Sequence, residues 1–138
     1  MKRLRRVLVG TIAGVILLGC ATMALEDIRW HLVEMDGVPA VAAAEERQAF
    51  IVFEGRGAPR VSGSTGCNRF TGSYARGRAS LSFGPIASTK MACPDGMAQE
   101  QAFMQALQDV SSWRRLDGTL ELLDEQGTVR LRFESARP

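Results

Sequence analysis

Gly63-Ser64-Thr65-Gly66-Cys67-Asn68-Arg69-Phe70-Thr71-Gly72-Ser73-Tyr74 is the stretch that decides how this chain folds. Phe70 and Tyr74 are four apart and Leu81 and Phe83 two apart, the even spacing of strands that bury one face, with Val61 as a further apolar position before them. The glycines at 63, 66 and 72 interrupt that pattern where a strand must bulge or curve sharply, and Asn68 is a side chain that caps backbone groups in such a bend. A curved antiparallel sheet is the expectation. Ala75-Arg76-Gly77-Arg78 reads as the connection of a hairpin leading into Leu81-Ser82-Phe83.

Outward from this centre the strand signals continue. Ile28, Trp30 and Leu32 alternate with Arg29 and His31, so a half-buried first strand is expected there, and Asp36-Gly37-Val38-Pro39 punctuates it. Phe50-Ile51-Val52-Phe53 is apolar at every position and reads as a central strand covered on two sides. Glu54 to Pro59 is a turn, and the Ala-rich stretch up to Arg47 is open between loop and helical turn. Near the end, Leu120 and Leu122 alternate with Thr119 and Glu121, and Val129, Leu131 and Phe133 with Arg130, Arg132 and Glu134. Asp124-Glu125-Gln126-Gly127 joins these two strands, Arg130 and Arg132 are expected opposite Glu121, and Trp113 with Asp117-Gly118 suggests a further hairpin before them.

Helical spacing occurs once. Phe103, Leu107 and Val110 fall at i, i+4 and i+7 within Met97 to Val110, with Gln99, Glu100, Gln101, Gln105 and Asp109 mostly opposite and Asp95 as the expected N-cap. The fold class is therefore α+β, a small antiparallel open β-barrel or curved sheet packed around one α-helix.

The 138 residues allow one domain, and their charge excludes a function class. Four of the 17 basic residues lie in the first six positions, which leaves 13 basic against 15 acidic, about −2, for the rest. No basic face for nucleic acid follows from that balance. Met1-Lys2-Arg3-Leu4-Arg5-Arg6 and the apolar run Val7 to Leu18 form a secretory signal, too short for a bilayer span of about 20 residues. Leu17-Leu18-Gly19-Cys20 resembles the bacterial lipobox, whose cysteine carries the lipid. Residues 1–19 are thus expected to be a lipoprotein signal peptide and residues 20–26 a lipid-anchored tether. Ala21 in place of Asp favours the periplasmic side of the outer membrane.

With Cys20 assigned to lipid, Cys67 and Cys93 remain as an even pair in an exported chain, and a disulfide between them is expected. Closing that loop of about 25 residues stabilises by roughly 3.5 kcal/mol in the chain-entropy model. A catalytic Cys67 thiolate served by His31, the single histidine, is the competing reading. No metal site is expected, because there is no C-x-x-C and only that one histidine, and no cofactor is called for.

Gly-Cys67-Asn68-Arg69-Phe70, Ser88-Thr89-Lys90-Met91-Ala92-Cys93 and Glu100-x-x-Phe103-x-x-x-Leu107, together with Trp30-His31-Leu32 and Leu120-Glu121-Leu122, resemble the META domain, or HslJ-like, family over residues 27–135. That resemblance implies strands curled into an open barrel around one helix, in exported and often lipidated bacterial proteins linked to heat shock, secretion or motility, with no established enzymatic activity. Its fold also looks like that of pilot lipoproteins that escort secretin subunits. The motif reads chiefly as structural, with Asn68 and Arg69 as a candidate binding rim. A non-enzymatic lipoprotein that binds an envelope protein or hydrophobic ligand in a stress or secretion role is the first expectation. An exported thiol-dependent hydrolase and a purely structural envelope protein are the alternatives.

Overall fold

Alternation in the sequence becomes a curled sheet in the computed structural model, which describes residues 24–41 and 47–136. In chain order the elements are β1 (Arg29–Met35), β2 (Val38–Pro39), β3 (Phe50–Glu54), β4 (Arg60–Ser64), β5 (Arg69–Arg76), β6 (Leu81–Ser88), α1 (Met97–Asp109), β7 (Ser112–Leu116), β8 (Thr119–Leu123) and β9 (Val129–Ser135). The path β6-β5-β4-β3-β1-β9-β8-β7 is antiparallel throughout, with β2 paired to β1. Its two end strands nearly meet: the Leu81 N–H donates to the Ser111 carbonyl at 3.0 Å and the Trp113 N–H to the Ala79 carbonyl at 2.9 Å. Among the described residues the result is an α+β open barrel with one α-helix.

Local chemistry explains the curl. Register shifts between Leu32 and Glu34, Gly72 and Tyr74, and Leu122 and Leu123 are bulges, which bend strands and increase their twist. Asp36-Gly37 and Asp117-Gly118 are two-residue hairpin turns with both φ angles positive, the geometry that matches strand twist. Gly63 is required for a different reason, since a Cβ there would lie 2.2 Å from the Phe50 carbonyl oxygen and 2.7 Å from the Phe70 ring. Inside the curve Trp30, Phe53, Phe103 and Phe133 are fully buried, joined by Ile51, Leu107, Leu120, Leu122 and Leu131. Phe103 touches both Phe70 and Phe133, with ring centroids 5.6 Å and 6.3 Å apart, so the helix fills the barrel it closes.

Several expectations need correction. Phe50–Phe53 is central, but only Ile51 and Phe53 face the core. Phe50 and Val52 lie half-buried on the outer face, where the Arg29 guanidinium stacks on the Phe50 ring at 4.1 Å. Asp95 is not the N-cap. Gly96 holds that position, because the chain turns back on Cys93 through a 3.0 Å backbone hydrogen bond and leaves no side-chain cap. Of the two arginines expected opposite Glu121, Arg132 is there, whereas Arg130 pairs with Asp36 at 2.5 Å and Asp109 at 2.8 Å.

The segment expected as the end of a tether is built into the fold. Leu25 is fully buried, its carbonyl accepts from Trp30 Nε1 at 3.0 Å, and Glu26 forms a parallel bridge with Phe53. An apolar side chain next to an open barrel end is drawn into it, which is why residues 24–26 belong to the domain. Residues 1–19, expected as a signal peptide, Cys20 and the Ala-rich residues 42–46 lie outside the described residues.

Candidate functional site

The family-like motif forms a short loop between β4 and β5. Gly66 takes φ +95° there, and a Cβ at that position would lie 3.0 Å from the Arg47 carbonyl oxygen. Thr65 fastens the loop: its Oγ1 accepts from the Asn68 N–H at 3.0 Å and the Cys67 N–H at 3.3 Å, and its own N–H donates to the Asn68 carbonyl at 2.9 Å. Folded this way, the loop aims the Asn68 side chain inward, where the residue is 1% exposed.

Both ends of the Asn68 amide are then occupied. Oδ1 accepts from the Met91 N–H at 2.7 Å and the Thr89 hydroxyl at 2.8 Å. Nδ2 donates to the Met91 carbonyl at 3.1 Å and to the Glu100 carboxylate at 2.8 Å and 3.1 Å. One side chain thus ties the β4–β5 loop to the segment after β6 and to the first turn of α1. Glu100 is 8% exposed, and its charge suits the N-terminal end of a helix. Gln99 reaches the other way, donating from Nε2 to the Thr65 carbonyl at 3.1 Å and accepting from the Val41 N–H at 3.1 Å.

Cys67 and Cys93 close the same junction as a disulfide, with 1.99 Å between sulfurs and 5.9 Å between Cα atoms. Gly96 sits against it: an added Cβ would meet the Cβ atoms of both cysteines at 3.3 Å. Asn68 is therefore not part of an open rim: it is buried, and both ends of its amide are already engaged by the buried Glu100 carboxylate, the Thr89 hydroxyl and the Met91 backbone. Arg69 stays exposed at the start of β5, its backbone exchanging hydrogen bonds with Thr89 at 3.0 Å and 3.1 Å. His31 lies on the outer face of β1 against the Phe50 ring, with β3 between it and the Cys67 loop. Nucleophile and base are not brought together.

Glu100 is the residue that sequence reading misplaces. It stands three residues before Phe103 and seven before Leu107, so it shares their stripe despite its charge. A carboxylate on an apolar stripe, with an amide side chain required elsewhere in the motif, is the signal that points to the pair.

Other polar groups form ladders rather than sites. On the outer face Arg114 and Arg132 flank Glu121, and Arg132 continues to Glu34 at 2.8 Å. Burial pushes the Glu121 carboxyl up, but hydrogen bonds and charge from Arg114 and Arg132 outweigh it and hold the group below its ordinary range. The same contest at Glu26 ends the same way, with Arg76 and the Tyr74 hydroxyl overriding burial. Aspartates hold Arg130 above its usual value, Asp36 foremost. Between α1 and the end of β6 runs a surface groove of about 610 Å³ lined by Lys90, Met97, Glu100, Gln101 and Met104 among others. Among the described residues no group of three His, Cys, Asp or Glu side chains could hold a metal ion, and no helix is long and apolar enough to cross a membrane.

Comparison with known proteins places this geometry in context. A solved structure of a protein from Burkholderia xenovorans superposes with a TM-score of 0.64 at 25% identity, covering 99% of this chain and 100% of that one. A DUF4847 family protein from Bacteroides vulgatus gives 0.59 at 18% identity over 83% of this chain and 96% of that one, a likeness of fold. No curated protein matches the sequence. None of these findings indicates a catalytic family. The META domain family model matches residues 23–137, from just before the buried Leu25 to just past β9, and on that match the chain belongs to the META domain family.

Proposed function

We propose that this META domain protein is a non-enzymatic, lipid-anchored protein of the bacterial outer membrane, facing the periplasm, that binds another envelope protein in a stress or secretion role. One observation carries the non-enzymatic reading: the motif's buried polar side chains, Thr65, Asn68 and Glu100, are engaged by the fold itself. Asn68 donates to the Glu100 carboxylate and bonds both Met91 backbone groups, and Cys67 is bonded to Cys93. What the motif secures is the junction of hairpin, β6 exit and helix, a mechanical task that leaves no group poised for acid–base or nucleophilic work. A protein partner is favoured over a hydrophobic ligand inside the barrel, since Phe103, Leu107 and Phe133 fill that space at 0% exposure.

The experiment is in-envelope crosslinking with wild type, Cys20→Ser and the double variant Cys67→Ser, Cys93→Ser. Cys20→Ser is expected to stay unprocessed or to leave the membrane fraction. The double variant should melt at lower temperature yet crosslink to the same partner while folded. Loss of that crosslink in a folded double variant contradicts a structural bond and favours thiol chemistry.

A further inference from the structure

The N-terminal segment fixes which end of the barrel an anchor would hold. Arg115 Nη1 donates to the Ala24 carbonyl at 2.6 Å, Leu25 is fully buried, and Glu26 is held by Arg76. From Ala24 onward the chain is therefore attached to one end of the barrel. Four residue steps separate Ala24 from Cys20, and fully extended they span at most about 14 Å. A headgroup layer of about 5–8 Å plus one screening length of about 8 Å at physiological salt covers the same distance. A lipid on Cys20 brings this end, and not the opposite one, within electrostatic reach of the membrane.

Three turns surround the segment. The turn at 55–59 lies against it, since a Cβ on Gly55 would meet Glu26 Cγ at 2.8 Å. A second, at 77–80, follows Arg76, and a third, Asp117-Gly118, follows Arg115 and Leu116. Arg56 and Arg78 are exposed on the first two turns, and Leu116 at the edge of the third is 69% exposed. Arg29 and Arg60 lie exposed at the same end, against the exposed Asp27, Glu54, Asp117 and Glu134.

We infer that this end of the barrel docks on an anionic lipid surface, with Arg56 and Arg78 against headgroup phosphates and Leu116 in the interfacial layer. The inference rests on the anchoring at Cys20 proposed above. Guanidinium groups match phosphate oxygens in bidentate geometry, and an exposed apolar side chain between basic turns suits the boundary of headgroup and acyl chain. The anchor supplies the occupant: the surface that holds the lipid is the one these turns face.

The test uses the full lipidated chain, purified in detergent, with the mass of its Cys20 peptide measured first. It is reconstituted into phosphatidylcholine vesicles with or without one-third phosphatidylglycerol, and amide hydrogen exchange is followed by mass spectrometry. Exchange in the turns at 55–59, 77–80 and 116–118 should slow by about fivefold for each arginine engaged in the anionic vesicles, with the Asp36-Gly37 and 124–127 turns unchanged. The variant Arg56→Gln, Arg78→Gln should lose most of that slowing while melting in detergent as the wild type does; a wild-type response in it overturns the arginine assignment. Equal exchange in detergent and anionic vesicles, on a chain that carries the acyl mass, overturns docking and leaves anchoring standing. Absence of acyl mass on Cys20 overturns the anchoring, and the docking with it.

Discussion

Asn68 holds three segments of the chain together with one side chain. Its amide is the shared partner of the buried Glu100 carboxylate, the Thr89 hydroxyl and the Met91 N–H and carbonyl, so truncation leaves several polar groups without that partner at once. Asn68→Ala is expected to destabilise the fold by about 2–4 kcal/mol, read by denaturant unfolding, given about 1–3 kcal/mol for each buried group left unsatisfied and partial relief by water. Asn68→Asp separates hydrogen bonding from shape. It sets a second carboxylate against Glu100, so one of the pair must take a proton at a pH above the ordinary carboxyl range. The folded state then binds that proton more tightly than the unfolded state, and the variant's deficit should shrink as pH falls toward 4. A deficit independent of pH contradicts the contact. In the sequence Asn68 was legible as a capping residue, but its burial was not, because the partner that buries it lies 32 positions away on a helix face read as polar.

At the scale of elements, α1 and the N-terminal segment behave differently although both bury a leucine. Helix α1 announces itself through Phe103 and Leu107, whose spacing is local and periodic. Leu25 has no period around it, and only the barrel end it fills makes it a core residue. The same gap between local pattern and tertiary setting explains Phe50 and Val52, whose apolar character is satisfied by Arg29 stacking and half-burial rather than a second layer. Leu107→Ala should cost about 2–5 kcal/mol, as for other fully buried leucines, and a loss below about 0.5 kcal/mol would mean the stripe does not face the core. Docking of the N-terminal segment should also weaken in acid. Burial works to raise the Glu26 carboxyl, yet Arg76 and Tyr74 hold it below its ordinary 4.5, and Glu121 is held low likewise by Arg114 and Arg132. Their contribution is complete above about pH 4.5 and is lost as pH falls through the lowered folded values. Glu26→Gln should flatten part of that acid limb in a stability–pH profile; an unaltered limb places the acid sensitivity elsewhere.

For the whole molecule, Cys67 and Cys93 join hairpin to helix through their disulfide, and the lipid anchor proposed above takes Cys20. Strand alternation, turn chemistry and the motif made the open barrel legible, while the closing of its lower end by Leu25 and of its upper junction by Glu100 depended on contacts between segments far apart in sequence. On the function proposed above, the motif's chemistry holds a fold together, the anchor holds it to a membrane, and neither performs a reaction. Counting thiols on the denatured full chain, taken from its own envelope with alkylation at lysis, tests it most directly. No reactive thiol is expected before reduction and two after it, with Cys20 unreactive in both. Two reactive thiols before reduction, at Cys67 and Cys93, would contradict it.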